Sequence, residues 1–133
     1  MTSCATVFAL GGLLAALSRP APAAEALILV QRSPLAGLRH YEAPEIWRDL
    51  QAGDRLEIVR EAENPHDPNA VRVEWRGRKL GYLPRADNAA VARQLDRGAP
   101  LAARIAVLRE NRNRSLRLEL EVVSDASPVP PNP

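Results

Sequence analysis

Apolar and polar residues alternate through most of the middle of the chain, and that period of two predicts strands. The clearest run sets Leu116, Leu118, Leu120 and Val122 against Arg117, Glu119 and Glu121, one face apolar and the other charged. Val71, Val73 and Trp75 alternate with Arg72, Glu74 and Arg76, Leu56 and Ile58 alternate with Arg55 and Glu57, and Ala103, Ile105 and Val107 form another face. Residues 26–30 are apolar without a break, the pattern of a buried strand. Leu80, Gly81, Tyr82 and Leu83 follow a turn at Arg76-Gly77, and residues 110–114 read as a polar hairpin loop. One segment keeps a different period. Over residues 87–97, Val91, Ala92 and Leu95 share a helical face, with Asp87 placed to cap the start and Gly98 just past the end. The expectation is a mainly β fold of about six strands with one short α-helix. So few residues fill a two-sheet sandwich poorly, whereas a small closed or partly open β-barrel buries the same faces with fewer exposed edges.

The ends are different in kind. Residues 5–17 are thirteen uncharged, mainly apolar residues, too few to cross a bilayer of about 30 Å as a helix. With the small residues at 21–26 they match the core and cleavage region of a signal peptide, although no Lys or Arg precedes the apolar run. Residues 1–26 are thus expected to be a signal peptide or a disordered leader. That places the protein in the periplasm or outside the cell, or in the cytoplasm if the leader does not function. Residues 124–133, with four prolines in ten, read as a disordered tail. One domain remains, over residues 27–123, with no membrane span and expected to be a monomer.

Charge and residue counts narrow the chemistry. The net charge of +2 excludes a polybasic tail but leaves room for a local basic face. A single cysteine, Cys4, excludes an intrachain disulfide, and two histidines beside it exclude an ordinary four-ligand zinc site. No Gly-rich phosphate loop occurs, and no nucleophile stands beside a base with an orienting third group, so no catalysis, metal or cofactor is expected.

The informative residues lie between 37 and 85. Gly37-Leu38-Arg39-His40-Tyr41 is followed by Gly53-Asp54 entering a strand, then by Asn64-Pro65-His66-Asp67-Pro68-Asn69-Ala70-Val71, then by Gly81-Tyr82-Leu83-Pro84-Arg85. This succession resembles the HIRAN domain, a module fused to SNF2-type DNA helicases and also found alone in bacteria. The resemblance covers residues 27–123 and is most specific from 61 to 73. It implies a small β-barrel related to the OB-fold and binding of nucleic acid, with capture of single-stranded DNA at its 3′-hydroxyl end and a role in DNA repair or processing. Carried over by position, Arg39 contacts a phosphate and His40 and Tyr41 stack on or line the terminal nucleotide. Asn64, His66 and Asp67 form the end pocket, with the Asp67 carboxylate accepting from the 3′-hydroxyl. Tyr82 and Arg85 form the facing wall, Arg85 on the backbone. Two positions depart from the family pattern, since His40 and His66 stand where an aromatic is usual. Imidazole stacks over less area and carries a charge that depends on pH. Residues 110–114 offer no aromatic, so binding is expected to be weaker and more dependent on charge.

Each of these residues also has a plainer role open to it. Asn64-Pro65 and Asp67-Pro68 form turns, and Asp67 or Asn69 can bond nearby amides. Tyr41 and Tyr82 can be half-buried packing residues whose hydroxyls find partners, Trp47 and Trp75 can belong to the core, and Arg39 and Arg85 can be solvated surface charges. A second function stays open: an exported barrel of the same fold that binds a protein partner or a small polar ligand, with no DNA role. The leader, the 4% aromatic content and the near-zero net charge favour it.

Overall fold

The computed structural model describes residues 27–125; the leader expected at 1–26, and the part of the tail expected at 124–133 that follows residue 125, lie outside the described residues. Among the described residues six strands occur in chain order: β1 (Leu27–Pro34), β2 (Arg55–Arg60), β3 (Val71–Trp75), β4 (Arg78–Tyr82), β5 (Leu101–Glu110) and β6 (Leu116–Asp125). All pair antiparallel in one sheet of order β1-β6-β5-β2-β3-β4. β6 runs through Ser124 and Asp125, where they pair with Ile28 and Leu27.

The alternating residues occupy the faces their period assigns. Leu118, Leu120 and Val122 of β6 are buried, as are Val71, Val73 and Trp75 of β3 and Leu56 of β2. They meet Leu80, Leu83 and Ile105 in one core cluster. On β5 the alternation stops early. A bulge between Ile105 and Val107 shifts the register, so Ala103 and Ile105 are buried while Val107 is only half-buried. β3 and β4 form a hairpin closed by Arg76 and Gly77, both at positive φ (46° and 77°), as a two-residue type I′ turn requires. The Arg76 guanidinium lies 4.5 Å from the Trp75 ring centre, an attraction of about 0.5–1 kcal/mol at an exposed site that offsets part of the cost of left-handed backbone at Arg76.

Two expectations change. The unbroken apolar run predicts a buried strand, yet Leu27, Ile28 and Leu29 are 44%, 58% and 56% exposed. Among the described residues β1 is an edge strand paired only with β6, and along it full burial is reached only at Ser33. The helix α2 (Ala89–Asp96) buries Val91 and Ala92 and ends at Gly98 (φ 76°), whose N–H donates to the Leu95 carbonyl. Its capping position, however, is Asn88 and not Asp87, and the Asn88 side chain makes no cap bond because it is turned to another partner.

Residues 38–50 carry no strand or long-helix period. They form a 3-10 turn at Leu38–His40, the one-turn helix α1 (Ala43–Ile46) and a second 3-10 turn at Trp47–Asp49. Leu38, Ala43, Ile46 and Leu50 are buried beneath them. Glu42 ties this segment to β4: its carboxylate accepts from Arg78 Nε at 2.7 Å and from the Lys79 N–H at 2.8 Å. Hydrogen bonds to those two donors, Arg78 first, hold its carboxyl below the usual range.

The sheet curls but does not close through a ladder. A single bridge joins the segment just past β1 to the opposite edge: the Ala36 N–H donates to the Tyr82 carbonyl at 2.9 Å, and the Tyr82 N–H to the Ala36 carbonyl at 3.0 Å. Gly81 makes this approach possible, because a Cβ there would run into the Ala36 carbonyl oxygen. The architecture is therefore OB-like and mainly β, with an open seam. No helix among the described residues is long and apolar enough to cross a membrane.

Candidate functional site

A cleft of about 290 Å³ opens beside that seam. Its walls carry Tyr41, Asn64, His66, Asp67, Tyr82 and Arg85, together with Ala36, Ala70, Leu83 and Pro84. Six of the eight residues singled out in the sequence thus converge from three places: the turn before α1, the β2–β3 loop and the end of β4. Arg39 and His40 do not line this cleft. Both are exposed, and Arg39 donates instead to Ser115 Oγ at 3.1 Å.

The β2–β3 loop owes its shape to its own side chains. Asn64 Oδ1 accepts from the backbone N–H of His66 at 2.9 Å and of Asp67 at 3.2 Å, and Asp67 Oδ1 accepts from the Asn69 N–H at 2.9 Å. These are the turns that Asn and Asp make before proline-rich corners. The plainer role of Asn64 is therefore realised, and its amide is engaged as well, donating to Glu61 Oε1 at 3.1 Å. Asp67 keeps more freedom. Its Oδ2 accepts from the buried Asn88 Nδ2 at 2.7 Å and lies 3.8 Å from Arg85 Nε. A carboxylate oxygen takes two donors, so each Asp67 oxygen has capacity left toward the cleft. His66 is exposed at the rim, and the Arg85 side chain is 72% exposed.

Tyr41 and Tyr82 give the cleft its aromatic lining. The Tyr41 and Tyr82 rings meet edge to face, with centres 5.8 Å apart and planes at 66°, an arrangement worth about 0.5–1.5 kcal/mol beyond burial. Lys79 sits between them, its ammonium 4.1 Å from the Tyr41 ring centre and 4.5 Å from that of Tyr82. It donates to the Tyr82 hydroxyl at 2.7 Å, and that hydroxyl lies 3.0 Å from Glu61 Oε1, its acceptor. Burial pulls the Lys79 ammonium down, but the Tyr82 hydroxyl, Tyr41 and Glu61 outweigh it and hold its pKa above the ordinary value. Burial likewise pushes Glu61 up, while hydrogen bonds from Arg72, Asn64 and Tyr82 bring its carboxyl below the usual range. Arg72, 2.6 Å from Glu61, is raised in turn, chiefly by its bond to that carboxylate.

Sequence reasoning missed Lys79, Glu61 and Asn88, three residues that set the walls in place. Lys79 carries one weak signal, as the only lysine among 18 cationic residues. Glu61 lies within the specific stretch but is not distinguishable there from a surface acid. Asn88 looks like a helix cap. Chemically, the cleft offers apolar ring surface, a carboxylate with free acceptor capacity and a cation at the rim. No group of three His, Cys, Asp or Glu able to hold a metal occurs among the described residues.

A family model described as the HIRAN domain matches residues 28–127. A crystal structure of a protein from Lactobacillus plantarum is similar at 26% identity and a TM-score of 0.63, over 75% of this chain and 98% of that one. The crystal structure of the HIRAN domain of human HLTF is similar in fold, at 22% identity and a TM-score of 0.59, over 74% of this chain and 78% of that one. No curated protein matches the chain.

Proposed function

This chain belongs to the HIRAN domain family, and from that premise we propose that it is a non-catalytic module that binds single-stranded DNA by its 3′-terminal nucleotide. The observation that carries the reading is the cleft, which is lined both by the paired tyrosines and by a carboxylate with unused acceptor capacity. The terminal base and sugar lie against Tyr41 and Tyr82. The 3′-hydroxyl donates to Asp67, a charge-assisted bond of about 1.5–3 kcal/mol. Arg85, at the rim, meets a backbone phosphate. A strand ending in a 3′-phosphate brings anion against anion at Asp67 and is disfavoured.

The test is fluorescence anisotropy of the full chain with a short labelled strand ending in either 3′-hydroxyl or 3′-phosphate, at two salt concentrations. The expected result is binding at least about tenfold tighter to the hydroxyl end, the equivalent of about 1.4 kcal/mol. Equal affinity for the two ends overturns the end-reading role, and no binding to either overturns a DNA role altogether.

A further inference from the structure

A second recess, of about 440 Å³, lies apart from the cleft, between the 38–49 segment and the β5–β6 hairpin. Arg39, Arg48, Arg114 and Trp47 line it, with Glu110 as the one acid on its wall. The three arginines come from three places: the first 3-10 turn, the second, and the hairpin loop. Among the described residues none of them has a carboxylate within ion-pair distance; seven further arginines share that state, and these three are set apart by lining one recess together. The recess therefore gathers three cations against one acid, with no ion pair between them among the described residues. Trp47 is half-buried, packed against the core on one side while lining the recess. Unmatched arginines around an aromatic surface in a groove are the chemistry that holds a nucleic-acid backbone while a base stacks.

The placement suits a continuing strand. Arg39 of the recess and Tyr41 of the cleft are two residues apart, so their Cα atoms are separated by at most about 7 Å. The bond from Arg39 to Ser115 Oγ fixes the hairpin end against the first 3-10 turn and so defines the recess between them. We propose that this recess is a second subsite for internal nucleotides of a single strand, with a base on Trp47 and phosphates on Arg48 and Arg114. The proposal deepens the reading of the cleft as a 3′-end pocket and supplies, from Trp47, the aromatic surface that the hairpin loop itself lacks.

Tryptophan emission gives a direct readout. Trp75 is 8% exposed with its Nε1 bonded to Asp54, so quenching by a bound strand reports Trp47. The probe is a ten-residue oligothymidylate ending in a 3′-phosphate, which denies the cleft its hydroxyl, titrated into the full chain. Saturable quenching is expected, and Trp47→Leu should remove it and weaken binding at least about fivefold, the low end for one stacked base. Because Trp47 also packs on the core, the double variant Arg48→Gln/Arg114→Gln, at two exposed positions, is the second arm. It should lower the slope of log affinity against log salt by about 1.4, from two phosphate contacts on a single strand. An unchanged slope in the double variant, no quenching in the wild type, or equal quenching by polyglutamate overturns the second subsite. The two readings separate cleanly. A preference for the 3′-hydroxyl that survives in both variants, with affinity and salt slope unaltered, leaves the end pocket standing and removes the recess. Quenching and a salt slope that depend on the recess residues, with no 3′-end preference, do the reverse.

Discussion

Asp67 is held from two sides, by the Asn69 N–H and by the Asn88 amide, before any ligand arrives. Asp67→Ala therefore does two things. It leaves the Asn88 amide, in a residue only 1% exposed, without its acceptor, which should cost about 1–3 kcal/mol of stability, measurable as a lower urea midpoint. In the variant that remains folded, discrimination between 3′-hydroxyl and 3′-phosphate ends should vanish while much of the general affinity stays. Equal loss for both ends would mark Asp67 as a loop-shaping residue only. Glu61 supplies a pH signature. Its carboxyl is lower in the folded protein than its ordinary 4.5, so its stabilisation is complete above that value and is lost as pH falls through the folded pKa. Urea midpoints at neutral pH and near pH 3 should differ more in the wild type than in Glu61→Gln. At this scale the sequence shows which residues face the cleft better than it shows what holds them. Asn64, His66 and Asp67 are local to one loop, and their chemistry is written in a few consecutive letters. Lys79, Glu61 and Asn88 act through partners 3 to 38 positions away, brought near by strand register and loop path, which no local pattern encodes.

Elements with strict alternation were the most legible, because a period of two has one buried face and one answer. β3 and β6 are such elements. β1 departs from its pattern because an unbroken apolar run looks alike at a sheet centre and at an edge, and strand order decides between them. The segment at 38–50 was invisible for another reason. Its buried residues Leu38, Ala43, Ile46 and Leu50 keep no single period, since two 3-10 turns flank one turn of α-helix. Gly81 on β4 is a case in which one missing atom sets the meeting of two elements. Gly81→Ala should destabilise the protein by about 1–3 kcal/mol, the usual cost of forcing a group into filled space, because the obstacle is the Ala36 backbone and not a side chain that can swing away. Thermal unfolding would read this as a drop of several degrees. A variant as stable as the wild type would mean that the Ala36–Tyr82 approach is not a firm part of the fold.

For the whole molecule, a net charge of +2 conceals an uneven distribution. Over the sheet many arginines are matched by acids, while residues 109–117 carry four arginines against Glu110 alone. Affinity for single strands should therefore fall with salt, in spite of the small net charge. Arg85→Ala should weaken binding to all single strands alike and flatten the salt slope by about 0.7, the share of one phosphate contact. Its ion pair with Asp67 at 3.8 Å is too exposed to contribute much to folding.

The seam at Ala36 and Tyr82 leaves the cleft lined, at Tyr82, by a strand end joined to Ala36 through one isolated bridge. Two amide protons guard that joint, and no neighbouring rung backs them. They should exchange with deuterium faster than amides in the long β5–β6 ladder, because opening there breaks two bonds and not a run of rungs. Tyr82 belongs to the joint and to the tyrosine wall at once, so a nucleotide resting on that wall should slow exchange at Ala36 and Tyr82. Occupancy of the cleft would then be recorded as deuterium uptake on the backbone behind it, with no label on the DNA.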